Sequence, residues 1–554
     1  MNTKLYLLIT LCFSTLMISA QKHKEWVLQI PDTTELSAVK GVYADRTDRR
    51  ENVFYVAGQG MQALKENDID FRILLHPNQE TDKNLVQNSK TNLSFPLENY
   101  PTYPQYDSIM AAFAQNYPSI CVLDTFAVLP SGKHLLMLII DDQPNVKEKE
   151  PEFLYTSTMH GDETGGYIML LNLIDTLLEN YGKVPRITQL VNDVKICINP
   201  LANPDGLYAG NDFLVSGATR TNANGVDLNR NFPDPENGQH PDGLSWQQET
   251  KAFMALADSM NFTMSSNIHS GAELVNYPWD TWDHTHANEA WWIDVSKEYA
   301  DTAQAYSPSG YFSSYQFPQG YTNGYSWYSI SGGRQDYMNY FHSCREMTLE
   351  IVDQKILPVN ELQNLWNANK RSLLNYIARA AYGVSGIVTD TLTGDPIKAK
   401  VYVDNIDCDK SFVYSNKSDG YYHRYFAGGN YELSFSATGY ETKKVPVAIS
   451  AFQNQNLNVK LVPDDISIKN HKGRLFNVFP NPASDDAHIE LNENLLLPDL
   501  KIHVYNSEGK LVKTVEWPSQ SRQVQISTED LPPGIYFLQM HGNEASSFEK
   551  LIIE

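Results

Sequence analysis

His160 and Glu163 stand three residues apart where the apolar run Phe153–Met159 gives way to His-Gly-Asp-Glu. An imidazole and a carboxylate at that spacing on a turn can aim at one point, as a catalytic metal ion requires. His269, in Asn267-Ile268-His269-Ser270-Gly271, offers a third ligand, which completes a His₂Glu set with an open fourth position. In Glu346–Ile351, alternation puts Glu346, Thr348 and Glu350 on one face and Met347, Leu349 and Ile351 on the other. A carboxylate inside a strand is costly without a partner, and a metal-bound water whose proton Glu350 takes is such a partner. The Asn-rich stretch Thr219–Pro233 carries Arg220 and Arg230, whose forked guanidinium groups suit carboxylates and polarised carbonyls. Taken singly, each feature also has a plainer reading: a solvated turn, a structural histidine, an edge-strand glutamate, a loop held by Asn turns.

These residues need a scaffold that brings distant segments together. The run before His160 reads as a buried strand, and Tyr167–Leu178 after Glu163 as a helix. His160 and Glu163 then sit at the strand's C-terminal end, where open α/β sheets bind ligands. Ser265–Ile268 ends on His269, Val194–Ile198 ends on Asn199-Pro200, and Met347–Ile351 contains Glu350. With a helix at 106–116, strands at 120–128 and 134–141 and a last helix Val359–Ala381, the alternation indicates a three-layer α/β domain.

At 554 residues the chain is expected to form several domains. Lys4, the apolar run Leu5–Ser19 and Ala20 read as a signal peptide over 1–20. Its apolar run is short for a membrane span, so the mature protein is expected to be exported and soluble, secreted or at the cell surface. Residues 21–95 read as a small α+β unit, with strand Asn52–Ala57, helix Gly58–Asn67 and strand Asp68–Leu75 in a β-α-β pattern. The α/β domain spans 96–382. Short alternating strands broken by Gly-containing turns then indicate one β-sandwich over 383–463, a polar linker over 464–473 and a second β unit over 474–554. Net charge −23 argues against a nucleic-acid partner and against anionic membrane surfaces. Cys121, Cys197, Cys344 and Cys408 remain after the signal; they permit three pairings or free thiols.

Taken in order, His160-Gly-Asp-Glu163, Asn203-Pro-Asp-Gly206, Asp227-Leu-Asn-Arg-Asn-Phe-Pro233, His269 with Asn276-Tyr-Pro-Trp-Asp280, Tyr328, Gly332-Gly333-Arg-Gln-Asp336 and Thr348-Leu-Glu350 resemble the zinc metallocarboxypeptidases. The resemblance is to their N/E (regulatory, carboxypeptidase D/N/E-like) branch. It implies a mixed-sheet zinc carboxypeptidase domain with one Zn2+ per chain held by His160, Glu163 and His269. It implies Glu350 as general base and acid, Arg220 as stabiliser of the oxyanion, and Asn229 and Arg230 as holders of the substrate's terminal carboxylate. Tyr328 would close over the substrate, and Asp227 would orient a zinc histidine. Asp280, with Gln335 as companion, matches the acidic position that pairs with a C-terminal Lys or Arg. Asp162 departs from the pattern, since digestive relatives carry Arg there and the N/E branch commonly Asn.

The 383–463 sandwich resembles the transthyretin-like domain of the same branch. Residues 474–554, with Val478-Phe-Pro-Asn-Pro-Ala483 and Gly534-Ile-Tyr-Phe-Leu538, are similar to C-terminal sorting domains of type IX secretion cargo. That implies export through the periplasm and contact with outer-membrane secretion machinery. Residues 21–95 resemble a carboxypeptidase pro-segment. The expected activity is removal of a C-terminal Lys or Arg from peptides or proteins with a free C-terminus. Two rivals are a murein peptidase acting on diaminopimelate-containing peptides and a non-catalytic adhesin that works through its β domains.

Overall fold

Four apolar runs, Glu152–Ser157, Lys195–Asn199, Phe262–His269 and Arg345–Val352, form adjacent parallel strands that are almost wholly buried. The computed structural model describes residues 24–554 except 32, 34–35, 37–38, 46–49, 81–93, 315, 465–475, 492–500, 519–520 and 542–545. The expected signal peptide at 1–20 and linker positions 465–473 lie outside the described residues. Antiparallel strands flank the parallel core. The full order is Tyr321–Asn323, Ala272–Tyr277, Arg345–Val352, Phe262–His269, Glu152–Ser157, Lys195–Asn199, His134–Ile140, Cys121–Val128.

Alternation along these strands sends side chains into two separate cores. Phe153, Tyr155, Ile196 and Ile198 pack with helices Tyr103–Asn116, Gly165–Asn180, Glu289–Ala305 and Leu362–Ala380. Leu154 and Cys197 face the other way, against helices Gln248–Ser259 and Arg334–His342. The result is a three-layer α/β domain with a mixed sheet. Because the central strands are parallel, their C-terminal ends share one edge, and the register sets Glu350 opposite His269. The helix after Glu163 starts at Gly165, and a Cβ on Gly166 would meet the Ser157 Cβ at 2.7 Å, so the small residue lets helix and sheet close up.

The N-terminal unit is richer than a β-α-β pattern. Strands Val42–Ala44, Val53–Val56, Trp26–Gln29 and Arg72–Leu74 form one sheet in that order, with helix Gly58–Glu66 packed on it. The two strands around the helix flank Trp26–Gln29, which pairs antiparallel with both. Trp26–Gln29 and Val42–Ala44 lack a strand-length alternating run, so they had no sequence signal of their own.

After Ala380, two small sheets make the first β-sandwich: Gly383–Asp390 with Tyr421–Arg424, Asn454–Asn456 and Val459–Leu461, and Val413–Tyr414, Lys400–Val403, Gly429–Ser436 and Lys443–Ile449. These elements belong to a compact unit that ends at Leu461; Gly439–Glu441 and Val462–Glu554 form a second unit. That second unit is itself a pair of antiparallel sheets around Ala487, Ile489, Ile502, Val504, Leu538 and Leu551. Cys121, Cys197, Cys344 and Cys408 are all free thiols, which answers the pairing question left open by their number. Among the described residues no helix is long and apolar enough to cross a membrane.

Glu346 faces a buried arginine. Its two carboxylate oxygens accept from Arg334 Nε at 2.9 Å and Nη2 at 3.0 Å, and one also accepts from Ser265 Oγ at 2.7 Å. Both partners are almost fully excluded from water, so removal of either leaves a bare buried charge. Glu346→Ala should lower the stability of this domain by about 3–5 kcal/mol in denaturant titration. The double replacement Arg334→Met/Glu346→Leu should recover most of that loss.

Candidate metal centre and cleft

His160 and Glu163 meet because the turn between them is held tightly. A Cβ at Gly161 would lie 2.2 Å from the Gly206 carbonyl carbon, so glycine is what allows the two loops to touch. His160 Nδ1 comes to 3.0 Å from Glu163 Oε1. His269, the last residue of its strand, places Nδ1 2.8 Å from Glu163 Oε2 and 3.2 Å from His160 Nδ1. Three ligand atoms about 2.0–2.2 Å from one tetrahedral ion stand roughly 3.3–3.6 Å apart, close to these separations. All three side chains are buried.

The far side of each imidazole is also engaged. His160 Nε2 lies 3.0 Å from Asp227 Oδ1, which accepts the Nε2 proton and leaves the Nδ1 lone pair for a metal. His269 Nε2 lies 2.7 Å from Asn267 Nδ2, an N–H group that donates rather than accepts, so Asn267 positions the ring without playing the part Asp227 plays for His160. Burial pushes His269 down to about 4, so it is neutral at physiological pH, the state in which imidazole ligates. Burial alone would raise Glu163, but His160, His269 and Lys355 outweigh it and hold the carboxyl well below its usual range. His160 shifts the other way: burial and Arg220 lower it, but Glu163 and Asp227 outweigh them, so a metal binding there displaces a proton. Two imidazoles and an ionised carboxylate are a donor set that suits zinc.

Around this centre a cleft is lined by Arg220, Asn229, Arg230, Tyr328 and Glu350. Arg220 is fixed by Asp227, whose Oδ2 lies 2.9 Å from both Nε and Nη2, and its Nη1 reaches 3.5 Å from Glu163. Asn229 and Arg230 sit on the short turn Leu228–Arg230, which the Asp227 side chain caps by accepting from Asn229 N. Burial and the charge of Glu163 push the Glu350 carboxyl well above its ordinary range. Asp280 and Gln335 lie one layer back from the cleft wall. Asn276, which does line the cleft, donates to Asp280 Oδ1 at 3.1 Å, and Gln335 Nε2 donates to the same oxygen at 3.0 Å. Burial pushes Asp280 up to about 7.

Three contributors carried no sequence motif. Lys355 Nζ lies 3.4 Å from Glu163 Oε1 and 3.5 Å from Asp45 Oδ2. Ala44 and Asp45, from the N-terminal unit, line the cleft as well. Asn267 was within reach of strand alternation, being two residues before His269 and therefore on its face.

Fold and site together define an α/β domain with a buried three-ligand metal centre at the C-terminal edge of parallel strands. The chain matches the zinc carboxypeptidase family over residues 106–372, the carboxypeptidase regulatory-like domain over 383–462 and the secretion system C-terminal sorting domain over 477–554. It is 34% identical over 415 residues to human carboxypeptidase D, covering 72% of this chain and 29% of that protein. Mouse carboxypeptidase M is 34% identical over 387 residues, 66% of this chain and 86% of the relative. For the human carboxypeptidase N catalytic chain the figures are 34% over 367 residues, 60% and 78%. Carboxypeptidase A from Helicoverpa armigera shares the fold, with TM-score 0.50 and 18% identity over 65% of this chain and 98% of that one. The chain thus spans under a third of the length of the carboxypeptidase D proteins. It belongs to the zinc carboxypeptidase family, for which one zinc ion per chain is implied, and its sorting domain marks it as secreted or cell-surface.

Equilibrium dialysis should find one zinc per chain, lost in His269→Ala. Asp227→Asn should keep the ion but bind it about 10- to 100-fold more weakly, the usual effect of removing a ligand's supporting carboxylate.

Proposed function

We propose that this chain removes C-terminal residues, preferentially Lys or Arg, from peptides or proteins. The observation that carries this reading is the convergence of His160, Glu163 and His269 on one cleft with Glu350, Arg220 and Arg230. When bound, zinc supplies a Lewis acid that polarises a carbonyl oxygen and makes water more acidic. Glu350 takes the proton of the attacking water and delivers it to the leaving amine, a role suited to a buried carboxyl whose affinity for protons is raised. Arg220, held rigid by Asp227, presents its charge where the carbonyl oxygen becomes negative. Arg230 and Asn229 pair with the free terminal carboxylate, which selects chain ends over internal peptide bonds. Tyr328 covers the bound residue and excludes water.

Asp280 gives the preference for basic ends. A Lys or Arg side chain entering beside Asn276 finds a buried carboxylate, and without it the cation would be left unpaired. The sorting domain supports passage across the periplasm and delivery by outer-membrane secretion machinery. The complete set of ligands, base and arginines argues against an adhesin without catalysis.

Glu350→Gln should keep zinc and substrate binding but lower kcat by about 10²- to 10⁴-fold, in steady-state assays on a peptide ending in Arg. Turnover within a few fold of the wild type would remove Glu350 from the proton transfer.

Asp280 yields a pH signature. Its carboxyl, raised to about 7 by burial, is protonated in acid and ionised above neutrality. The kcat/KM ratio for Arg-ending over Leu-ending peptides should therefore rise as pH increases through 7, by up to about tenfold per unit on the acid side. In Asp280→Asn the ratio should be low and flat across the same range; a wild-type slope there would sink the assignment.

A further inference from the structure

The strand that carries Glu350 starts on a buried arginine with no carboxylate in contact among the described residues. Arg345 Nη2 donates to Asn288 Oδ1 at 2.9 Å and to the Ser411 carbonyl at 2.5 Å, while Nε and Nη1 have no partner. Arg424 stands in the same cluster. Its Nη2 pairs with Asp407, its Nη1 donates to the Val401 carbonyl at 2.9 Å, and its Nε is unpartnered. Ser411 ties the two arginines together, since its carbonyl holds Arg345 and its Oγ donates to Asp407 at 2.8 Å. His286 completes the group. Its Nδ1 accepts from Asn288 N at 3.0 Å, which leaves the ring hydrogen on Nε2, and Nε2 has no partner. The rings of Trp279 and Trp292 pack on His286 at 5.0 and 6.0 Å, and both indole N–H groups are unpartnered too.

We propose that this cluster is a buried halide site, which takes one chloride ion between the α/β domain and the first β-sandwich.

Donor chemistry is the first argument. Every unpartnered atom named above is an N–H group, and none of them can accept a hydrogen bond. A water accepting from them would still have two hydrogens of its own to place, whereas a chloride has none. Charge is the second. Two guanidinium groups share one carboxylate, that of Asp407, so one positive charge is buried without compensation until an anion joins it. Burial, and then the charge of Arg424, pull the Arg345 guanidinium down to about 10, and the same two arginines help burial to keep His286 neutral. Size is the third. Arg345, Arg424 and His286 are each at most 1% exposed, beneath two buried tryptophans, so the ion has to be small and shed its hydration shell. Chloride meets both conditions; sulfate and phosphate meet neither. The ion would join strand Arg345–Val352, the turn before helix Glu289–Ala305 and the sandwich strand Tyr421–Arg424, all within one compact unit. It would thereby brace the strand that positions Glu350.

The test uses the zinc-loaded full chain in mixtures of sodium chloride and sodium gluconate at constant ionic strength. Equilibrium dialysis with radioactive chloride should show saturable binding. The thermal unfolding midpoint should rise by about 2–5 °C for each tenfold increase in chloride once the site fills. Arg345→Met removes both the charge and its donors; it should hold one chloride fewer per chain and unfold at a midpoint insensitive to chloride. His286→Phe keeps the charge but loses one donor, and should weaken chloride binding about tenfold or more. No saturable binding by the wild type, with the donors serving water only, overturns the site. So does an Arg345→Met protein that holds as many chloride ions as the wild type, because they then bind elsewhere, as at Arg230. If Arg345→Met fails to fold, His286→Phe decides, and unchanged chloride affinity there overturns the site.

Discussion

A charged carboxylate at the centre of a protein has to be surrounded by positive partners, and Glu163 is that carboxylate. It is buried, and around it stand His160, His269, Arg220 and Lys355 at 2.8–3.5 Å. The second layer exists to hold these partners. Asp227 serves His160 on one side and Arg220 on the other, and it also caps the turn that carries Asn229 and Arg230. One aspartate thereby fixes His160, Arg220 and the turn carrying Asn229 and Arg230 in a common frame. His160, Glu163 and His269 would hold a zinc ion here, whose two positive charges would complete the compensation and couple folding to metal binding.

The sheet makes this arrangement possible. Three of the four central strands deliver site residues from their ends or just beyond, and the parallel register puts those ends along one edge. Buried polar side chains then line that edge in a connected network: Thr156 donates to Asn267, Asn267 meets His269, and Gln335 links the backbone of Thr348 to Asp280. Such a network is stabilising only when its members are satisfied together, which explains why so many polar residues occur within the strands.

The chemistry was legible from sequence where it followed local pattern. His160, Glu163, His269 and Glu350 each lie at or near a strand end that periodicity could locate, and the two Asn-rich arginines fall within one continuous segment. The central strands and the helix after Glu163 were legible for the same reason. The contacts that the N-terminal unit makes with residues around the cleft were not. The Glu25 contact with Arg220 joins residues 195 positions apart, and the Tyr55 contact with Asp162 joins residues 107 apart. Contacts at that separation leave no spacing to read. Asp162 did stand out as a departure from pattern, but its partner became apparent only in three dimensions. Lys355 is similar: a lone lysine after a strand carries no signal until its distance to Glu163 is known.

The proposed specificity pocket follows the opposite logic to the metal centre. Asp280 is crowded by acids, with Asp336 accepting from its backbone N–H at 3.0–3.1 Å and Asp234 close enough to raise its proton affinity. Asp336 in turn is pushed well above the usual carboxylate range, by burial first and then by Asp280. Asn276 and Arg230 offset part of this for Asp280, yet its carboxyl still sits near neutrality rather than in the acid range. At the metal centre several cations stand within 3.5 Å of the carboxylate, whereas at Asp280 Arg230 offsets only part of the cost of burial. A cationic side chain therefore gains more at Asp280 than it would at a carboxylate already paired, because it relieves an existing deficit as well as forming a new contact. An apolar side chain brings no such relief and leaves the buried acid as costly as before. In the proposed pocket, discrimination would arise from this buried carboxyl, held by the amides of Asn276 and Gln335, in the way that a site built to pair one polar group rejects ligands that lack it.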